Sequence, residues 1–250
     1  MRRAIQFRIS LNENYKMDIL TLGDCLTEMD NIPDNSIDLI LCDLPYGMTA
    51  GEWDKIINFT VLWKQYNRVI KEGGTCCLFA CQPFTTKLIS SNIDNFRYCW
   101  YWNKNQGTNF FHAKSMPIRK VEEICVFYKG GYYPQMTDGH EPTNSAKGSS
   151  PGNCYHGSNT RNYEGGSTLR YPTNILEYDC VSNYSRNHPN EKPVDLLKYL
   201  IKTYTKEGDL VLDNCAGSGS TLVAAKELNR RYIGIEKEKK YYDIAMARLK

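Results

Sequence analysis

The sequence predicts an α/β fold with a mostly parallel sheet covered by helices on both faces. Three observations carry this. From His188 onward, strand-like and helix-like segments alternate, a pattern that lays parallel strands beneath crossover helices. The run Ile37-Asp38-Leu39-Ile40-Leu41-Cys42 is apolar almost throughout, as a strand buried on both faces should be. Two such strands run into Pro- or Gly-rich loops, Asp43-Leu44-Pro45-Tyr46-Gly47 and Ala216-Gly217-Ser218-Gly219-Ser220.

The elements follow in order. The start is basic without an apolar h-region, so it does not read as a secretory signal. The regular pattern begins at Met17, an alternative start, which makes residues 1–16 an N-terminal extension. After the strand at 37–42, Phe59, Leu62, Trp63, Tyr66 and Ile70 keep helical spacing. Gly73-Gly74 breaks that helix before a strand at 75–80, and a helix follows Pro83. Residues 97–102 and 124–129 read as two more strands. Residues 130–187 change character. Gly supplies 8 of these 58 residues and Asn, Tyr and Ser 7 each, with no sustained period. Seven tyrosines are too many for a disordered linker, so a loop-rich binding region is expected. Pro193 then opens a helix with Val194, Leu197, Leu200, Ile201 and Tyr204 on one face. A strand at 209–214, a helix at 221–228, a strand at 232–236 and a last helix carrying Tyr241, Ile244, Ala245 and Leu249 complete the chain.

With 250 residues, 41% hydrophobic and 24% charged, the chain can bury one substantial core. No apolar run approaches the ~18 residues of a membrane span, so a cytoplasmic protein is expected. The ten cysteines form no CxxC pair and no cluster of zinc spacing, which points to reduced thiols and no metal site. Net charge is only +3, but no acid lies between Asp94 and Glu122, where Arg97, Lys104, Lys114, Arg119 and Lys120 are interleaved with Trp100, Tyr101, Trp102, Phe110 and Phe111. Cations suit phosphates and aromatic faces suit bases. A solvated basic face over a core strand is the competing reading.

Two loops carry the chemistry. A glycine-rich turn from strand to helix, at 213–221, lets a ligand approach the backbone closely. Glu236 closes the next strand, where a carboxylate can accept both hydroxyls of a ribose. Leu222 occupies the third glycine position of a dinucleotide fingerprint, so the pair marks a nucleoside cofactor without choosing it. A tight turn that merely packs helix on sheet is the alternative. The loop Asp43-Leu44-Pro45-Tyr46 is sharper. The lone pair of an exocyclic amine is delocalised into its base ring. The Asp43 carboxylate and the Leu44 carbonyl can accept the two N–H bonds and aim that lone pair outward. Pro45 would fix the turn, and Tyr46 would stack on a base swung out of the duplex. A lone motif of this kind is otherwise an ordinary turn with a capping Asp. Cys81-Gln82-Pro83 runs opposite to the Pro-Cys-Gln that cytosine-C5 chemistry needs.

Together these loops resemble the DNA amino-methyltransferases. Asp43-Leu44-Pro45-Tyr46 looks like their (D/N/S)PPY motif, and Asp213 to Thr221 like their D-P-F-x-G-S-G-T-T cofactor motif. His188-Pro189-Asn190-Glu191-Lys192-Pro193 is similar to H-P-T-Q-K-P, and Gly23-Asp24-Cys25-Leu26 with 32–40 to the leader before the catalytic strand. The motif order is that of the beta group, a circular permutation. The resemblance implies a Rossmann-like class I methyltransferase fold with a loop-rich target-recognition insert. Its parts would be a catalytic half at 17–129, a target-recognition region at 130–187 and a cofactor half at 188–250. It implies S-adenosyl-L-methionine as cofactor and duplex DNA as partner. Asp43, Leu44, Pro45 and Tyr46 would be catalytic. Asp24, Asp43, His188, Lys192, Asp213, Cys215, Gly217, Gly219 and Glu236 would hold the cofactor, and Arg97, Lys104, Lys114, Arg119 and Lys120 the DNA. Two positions depart from the pattern: Leu44 stands for Pro and Cys215 for Phe. Asp at position 43 favours adenine N6, since cytosine-N4 relatives more often carry Ser there. A cytosine-N4 enzyme, a catalytically silent DNA binder and a nicotinamide-linked dehydrogenase are the alternatives. A small stand-alone enzyme of phage or prophage type is expected. A homodimer and a cognate restriction enzyme stay open as partners.

Overall fold

Residues 18–49, 51, 54–144, 146–149, 160–163, 165–182, 184 and 186–250 are described by a computed structural model. The expected extension at 1–16, Met17 and Cys154 lie outside the described residues. The chain forms two units, one reaching Tyr133 and resuming at Asn174, the other Pro134–Thr173.

In chain order the first unit contributes β1 (Asp18–Leu22), α1 (Cys25–Glu28), β2 (Ile37–Cys42), α2 (Phe59–Val69), β3 (Ile70–Ala80), α3 (Phe84–Ser90), β4 (Phe96–Thr108) and β5 (Arg119–Phe127). The small unit carries an antiparallel pair, β6 (Ala146–Ser149) and β7 (Thr160–Tyr163). The first unit then resumes with β8 (Ile175–Tyr178), α4 (Val194–Tyr204), β9 (Leu210–Asp213), α5 (Ser220–Glu227), β10 (Arg231–Glu236) and α6 (Lys239–Arg248).

Eight strands make one sheet in the order β1-β10-β9-β2-β3-β5-β4-β8. The first five are parallel, β5 runs against β3 and β4, and β8 is parallel to β4. Successive strand side chains point to opposite faces, and β2 shows the consequence. Ile37, Ile40 and Cys42 join one core with Leu62, Tyr66 and Val69 of α2 and Leu88 of α3. Leu39 and Leu41 join the other, with Leu196, Leu200 and Ile201 of α4 and Leu222 of α5. Burial on both faces is why the strand reads as a continuous apolar run. Among the described residues, no helix is long and apolar enough to cross a membrane.

Three features differ from expectation. The helix ends at Val69 and the strand begins at once, so Gly73-Gly74 lies inside β3. There the register slips from Ile37↔Ile70 to Leu39↔Thr75, and Gly73 takes φ +81°, a bulge that a side chain would strain. β4 and β5 extend well past the residues expected of them and form a long hairpin. β8 arises where no periodic element is expected, because only Leu176 of its four residues is buried.

The core is tied directly to the turn after β9. Tyr66 is fully buried and its hydroxyl donates to Oδ1 of the buried Asn214 at 2.6 Å. Replacing Tyr66 by Phe leaves that oxygen without its donor. Tyr66→Phe should lower stability by about 1–2 kcal/mol, seen as a reduced urea midpoint with an unchanged slope.

Candidate functional site

Parallel pairing decides where the site forms. β2 lies beside β9 with Leu39 opposite Val211 and Ile40 opposite Leu212, and β10 and β1 follow in the same direction. All four strands therefore end at one edge, bringing together residues 43–49, 214–219, Glu236 and Gly23-Asp24. The helix after β2 packs on one face and the helix after β9 on the other. That divergence opens a crevice between two neighbouring strand ends.

A cavity of about 360 Å³ occupies this crevice, a nucleoside-sized space. Asp24, Asp43, His188, Lys192, Asp213, Cys215, Gly217 and Glu236 all line it, as does Pro45. Gly219 does not. It stands one turn behind at φ +79°, and an added Cβ would sit 2.8 Å from that of Ala245, so its bareness lets α6 pack closely. Glu236 is braced at both oxygens, Oε2 by the amide of Gly217 at 2.6 Å and Oε1 by that of Glu238 at 2.7 Å. The remaining lone pairs of such a carboxylate are available to hydroxyl donors. Asp24 lines the cavity while capping α1 through the amide of Leu26, 3.1 Å away. His188 sets its ring edge-on to Tyr241 at 4.2 Å. Burial, with Lys192 nearby, lowers its pKa to about 4, so it is neutral at pH 7.

The loop after β2 is shaped from beneath and from its far end. Leu44 is 3% exposed and belongs to the core. Burial of the side chain thus anchors the position where relatives of the motif use a proline ring. Asp54 accepts from the amides of Gly47, Met48 and Thr49 at 2.8, 2.8 and 2.6 Å, folding the loop back on itself. The Tyr46 hydroxyl donates to Asp43 Oδ1 at 2.6 Å, and its ring packs on Phe84 with centroids 4.9 Å apart.

Charge is arranged in an alternating chain. Lys192 donates to Asp43 Oδ2 at 2.6 Å and stands 3.7 Å from Glu122 Oε2. Glu122 in turn accepts from Lys104 at 3.1 Å. Burial pushes the Asp43 carboxyl up while Lys192 pulls it back. Burial opposes the charge on Lys192, but Asp43 and Glu122 outweigh it and raise its pKa. Glu122 is likewise disfavoured by burial, yet Lys192 and Lys104 hold it below the usual carboxylate range. Among the described residues, no cation forms an ion pair with Asp213. Burial raises it to about 6, although the Thr221 side chain and the Cys215 amide stabilise its charge.

The five expected cations do not share one surface. Lys114 and Lys120 are exposed and Arg119 partly so, all on the β4–β5 hairpin. Arg97 is exposed near the opposite end of β4. Lys104 corrects the expected open basic face. It alternates with Trp100 and Trp102 on the buried side of β4, at 3% exposure, and its ammonium is held by Glu122. Sequence reasoning passed over Glu122 and Asp54. A signal for Glu122 existed: it shares a strand face with Ile124 and Val126, which places an acid on the core side. No pattern marked Asp54.

A family model described as DNA methylase matches residues 37–247. The chain is 29% identical over 246 residues to the type II methyltransferase M.HpaI of Haemophilus parainfluenzae, covering 92% of this chain and 73% of that one. It is 26% identical over 307 residues to the type II methyltransferase M.HindIII of Haemophilus influenzae, covering 93% and 95%. Among solved structures, M1.HpyAVI in complex with SAM is similar at 22% identity and TM-score 0.60, covering 92% of this chain and 98% of that one. The cytosine-N4-specific PvuII DNA methyltransferase is similar at 17% identity and TM-score 0.65, covering 92% and 86%.

Two stability measurements check the electrostatics. Glu122→Gln strands the buried Lys104 charge and should cost roughly 3–5 kcal/mol. Adding Lys104→Met should recover most of that loss, and equal stability of the single and double variants would contradict the pairing. For Asp213 the folded pKa lies above the unfolded one. Its contribution to stability is complete at low pH and fades as pH rises through about 6. Relative to Asp213→Asn, the parent should lose about 1 kcal/mol between pH 5 and pH 7, read from urea midpoints at each pH.

Proposed function

The chain belongs to the DNA methylase family whose model it matches over residues 37–247, and we propose that it transfers a methyl group from S-adenosylmethionine to the exocyclic N6 of adenine in duplex DNA. The observation that carries this is the placement of Asp43 in the wall of the same cavity that Gly217 and Glu236 line. A nucleoside-sized space and an amine-orienting carboxylate are thereby adjacent. The solved M1.HpyAVI–SAM complex, similar in fold, supports the cofactor assignment.

The residues fit such a cofactor. Glu236 would hold the ribose hydroxyls, with Gly217 and Asp213 at the methionine end and Asp24 and His188 along the cavity. When bound, S-adenosylmethionine supplies a methyl group whose bond to sulfonium sulfur breaks with the electron pair left on sulfur. The chain's own part is positional and electrostatic. Asp43 and the Leu44 carbonyl accept the amine's two N–H bonds and leave its lone pair directed outward. Burial raises the Asp43 carboxyl and Lys192 offsets that rise in part, favouring the ionised form that accepts. The amine sheds one proton as it becomes secondary, and Asp43 is the acceptor in place. Tyr46 offers its ring to the extruded base.

Asp rather than Ser at position 43 supports adenine over cytosine. The fold does not discriminate, since a cytosine-N4-specific enzyme shares it. Residues 130–187 are assigned to reading the DNA sequence. A small stand-alone modification enzyme, with two copies paired, completes the reading.

Labelled methyl transfer from S-adenosylmethionine to unmethylated duplex DNA, followed by nucleoside analysis, tests it. The label should appear in N6-methyladenine, and N4-methylcytosine alone would overturn the choice of base. Asp43→Ala should lower turnover by about 100-fold or more. Glu236→Gln should instead weaken S-adenosylmethionine binding by about tenfold.

A further inference from the structure

The β4–β5 hairpin leaves the sheet at the catalytic edge. Ala80, the last residue of β3, pairs with Glu123, so the part of β5 before Glu123 has no β3 partner. Arg119, four residues further out, stands about 13 Å beyond that level. The turn between Thr108 and Arg119 reaches past it again. Asn109 at φ +77° bends the chain into a single 3-10 turn, Phe110–His112. Phe110 is 65% exposed and Phe111 wholly so.

Adjacent phenyl rings on a solvent-facing tip forgo the burial that aromatic side chains gain elsewhere in a fold. Their surroundings name a partner. Lys114 and Lys120 are exposed beside them, and no acid occurs between Asp94 and Glu122. A second copy of the chain would bring like charges together at this tip, whereas phosphates would neutralise them. The base of the hairpin is also strapped to the site. Arg119 donates to Cys81 Sγ at 3.2 Å and to the Gln82 carbonyl at 3.3 Å. Cys81 Sγ lies 3.7 Å from the sulfur of Met48, in the loop that begins at Asp43.

We propose that Phe111, backed by Phe110, is a wedge that enters duplex DNA beside the target base and fills the space left when that base is swung out. The inference rests on the DNA methyltransferase reading above. Extruding a base breaks its stacking and leaves a gap in the duplex. An apolar planar side chain inserted at the step replaces part of the lost contact and holds the gap open. Lys114 and Lys120 would grip the flanking phosphates and fix the depth of insertion, while Arg119 holds the hairpin to the site. Phe111 is thus a positioning residue that acts on the duplex and not on the reacting atoms.

The test uses the full chain and two short duplexes carrying the sequence that the parent methylates. One is fully paired, and the other has an abasic site opposite the target base, where neither pairing nor a wedge holds the base in or out. Phe111→Ala should methylate the paired duplex roughly tenfold more slowly than the parent, yet stay within about twofold on the abasic duplex. Phe111→Trp should restore the paired rate. An unchanged unfolding midpoint in each variant shows that the loss is not one of folding. Equal loss on both duplexes, or no loss on either, overturns the wedge and leaves the methyltransferase reading standing. A variant that loses self-association with the same paired-to-abasic ratio as the parent assigns the tip to a second copy, which also overturns it. If no duplex DNA of varied sequence takes up methyl from the parent, so that no such sequence is found, the functional reading falls, and the wedge with it.

Discussion

Everything at the site depends on two strands distant in sequence lying side by side and pointing the same way. β2 and β9 share only two register pairs, Leu39↔Val211 and Ile40↔Leu212. Asp38 strengthens this short seam at the end remote from the cavity. Its carboxylate accepts from Lys71 in β3 at 2.8 Å and from the amide of Leu210 in β9 at 2.9 Å. One side chain on β2 thus joins three strands. With β2 and β9 parallel, the loop bearing Asp43 and the loop bearing Gly217 must leave the sheet together. With their following helices on opposite faces, the space between them must stay open.

The second organising feature is the run of alternating charges, Lys104–Glu122–Lys192–Asp43. Buried ion pairs add little net stability, because desolvation offsets the attraction. Their value here is positional. Lys192 is brought to the cavity wall by the short segment before α4. It is held between an acid from the loop after β2 and an acid from β5. The electrostatic surroundings of Asp43 therefore depend on β5, a strand from which no described residue lines the cavity. Lys104 balances Glu122, leaving Lys192 attracted most strongly to Asp43.

Much of this was legible beforehand, and the reasons are physical. β2, α2, α4, β9 and β10 announce themselves because one or both faces are buried, which imposes a period on the sequence. Most of the expected residues lining the cavity lie in motifs at strand ends, where backbone and chemistry constrain composition together, while His188 and Lys192 come from the motif before α4. The rest came from tertiary structure. β8 is an edge strand with one buried residue and leaves no period to read. Lys104 and Lys120 look alike as letters, and only the pairing of β4 with β5 turns one inward. Gly219 looks like a ligand contact in the sequence because a glycine serves close approach by a ligand or by a helix equally well. Asp54 works through three backbone amides, which have no sequence signature.

The sheet's outer border has a consequence for how the molecule assembles. β1 is the first described strand, and its sheet partner is β10, near the other end of the chain, with Asp18 opposite Tyr232. β2 likewise needs β9 for one of its edges. As a ribosome releases the chain, the Asp43 loop emerges long before the strands that flank it. Closing such non-local contacts is slow, and unpaired edges are exposed meanwhile. Fold closure and assembly of the cavity are therefore a single late event, and a partly synthesised chain contains the amine-orienting loop without the wall that would set a methyl donor beside it.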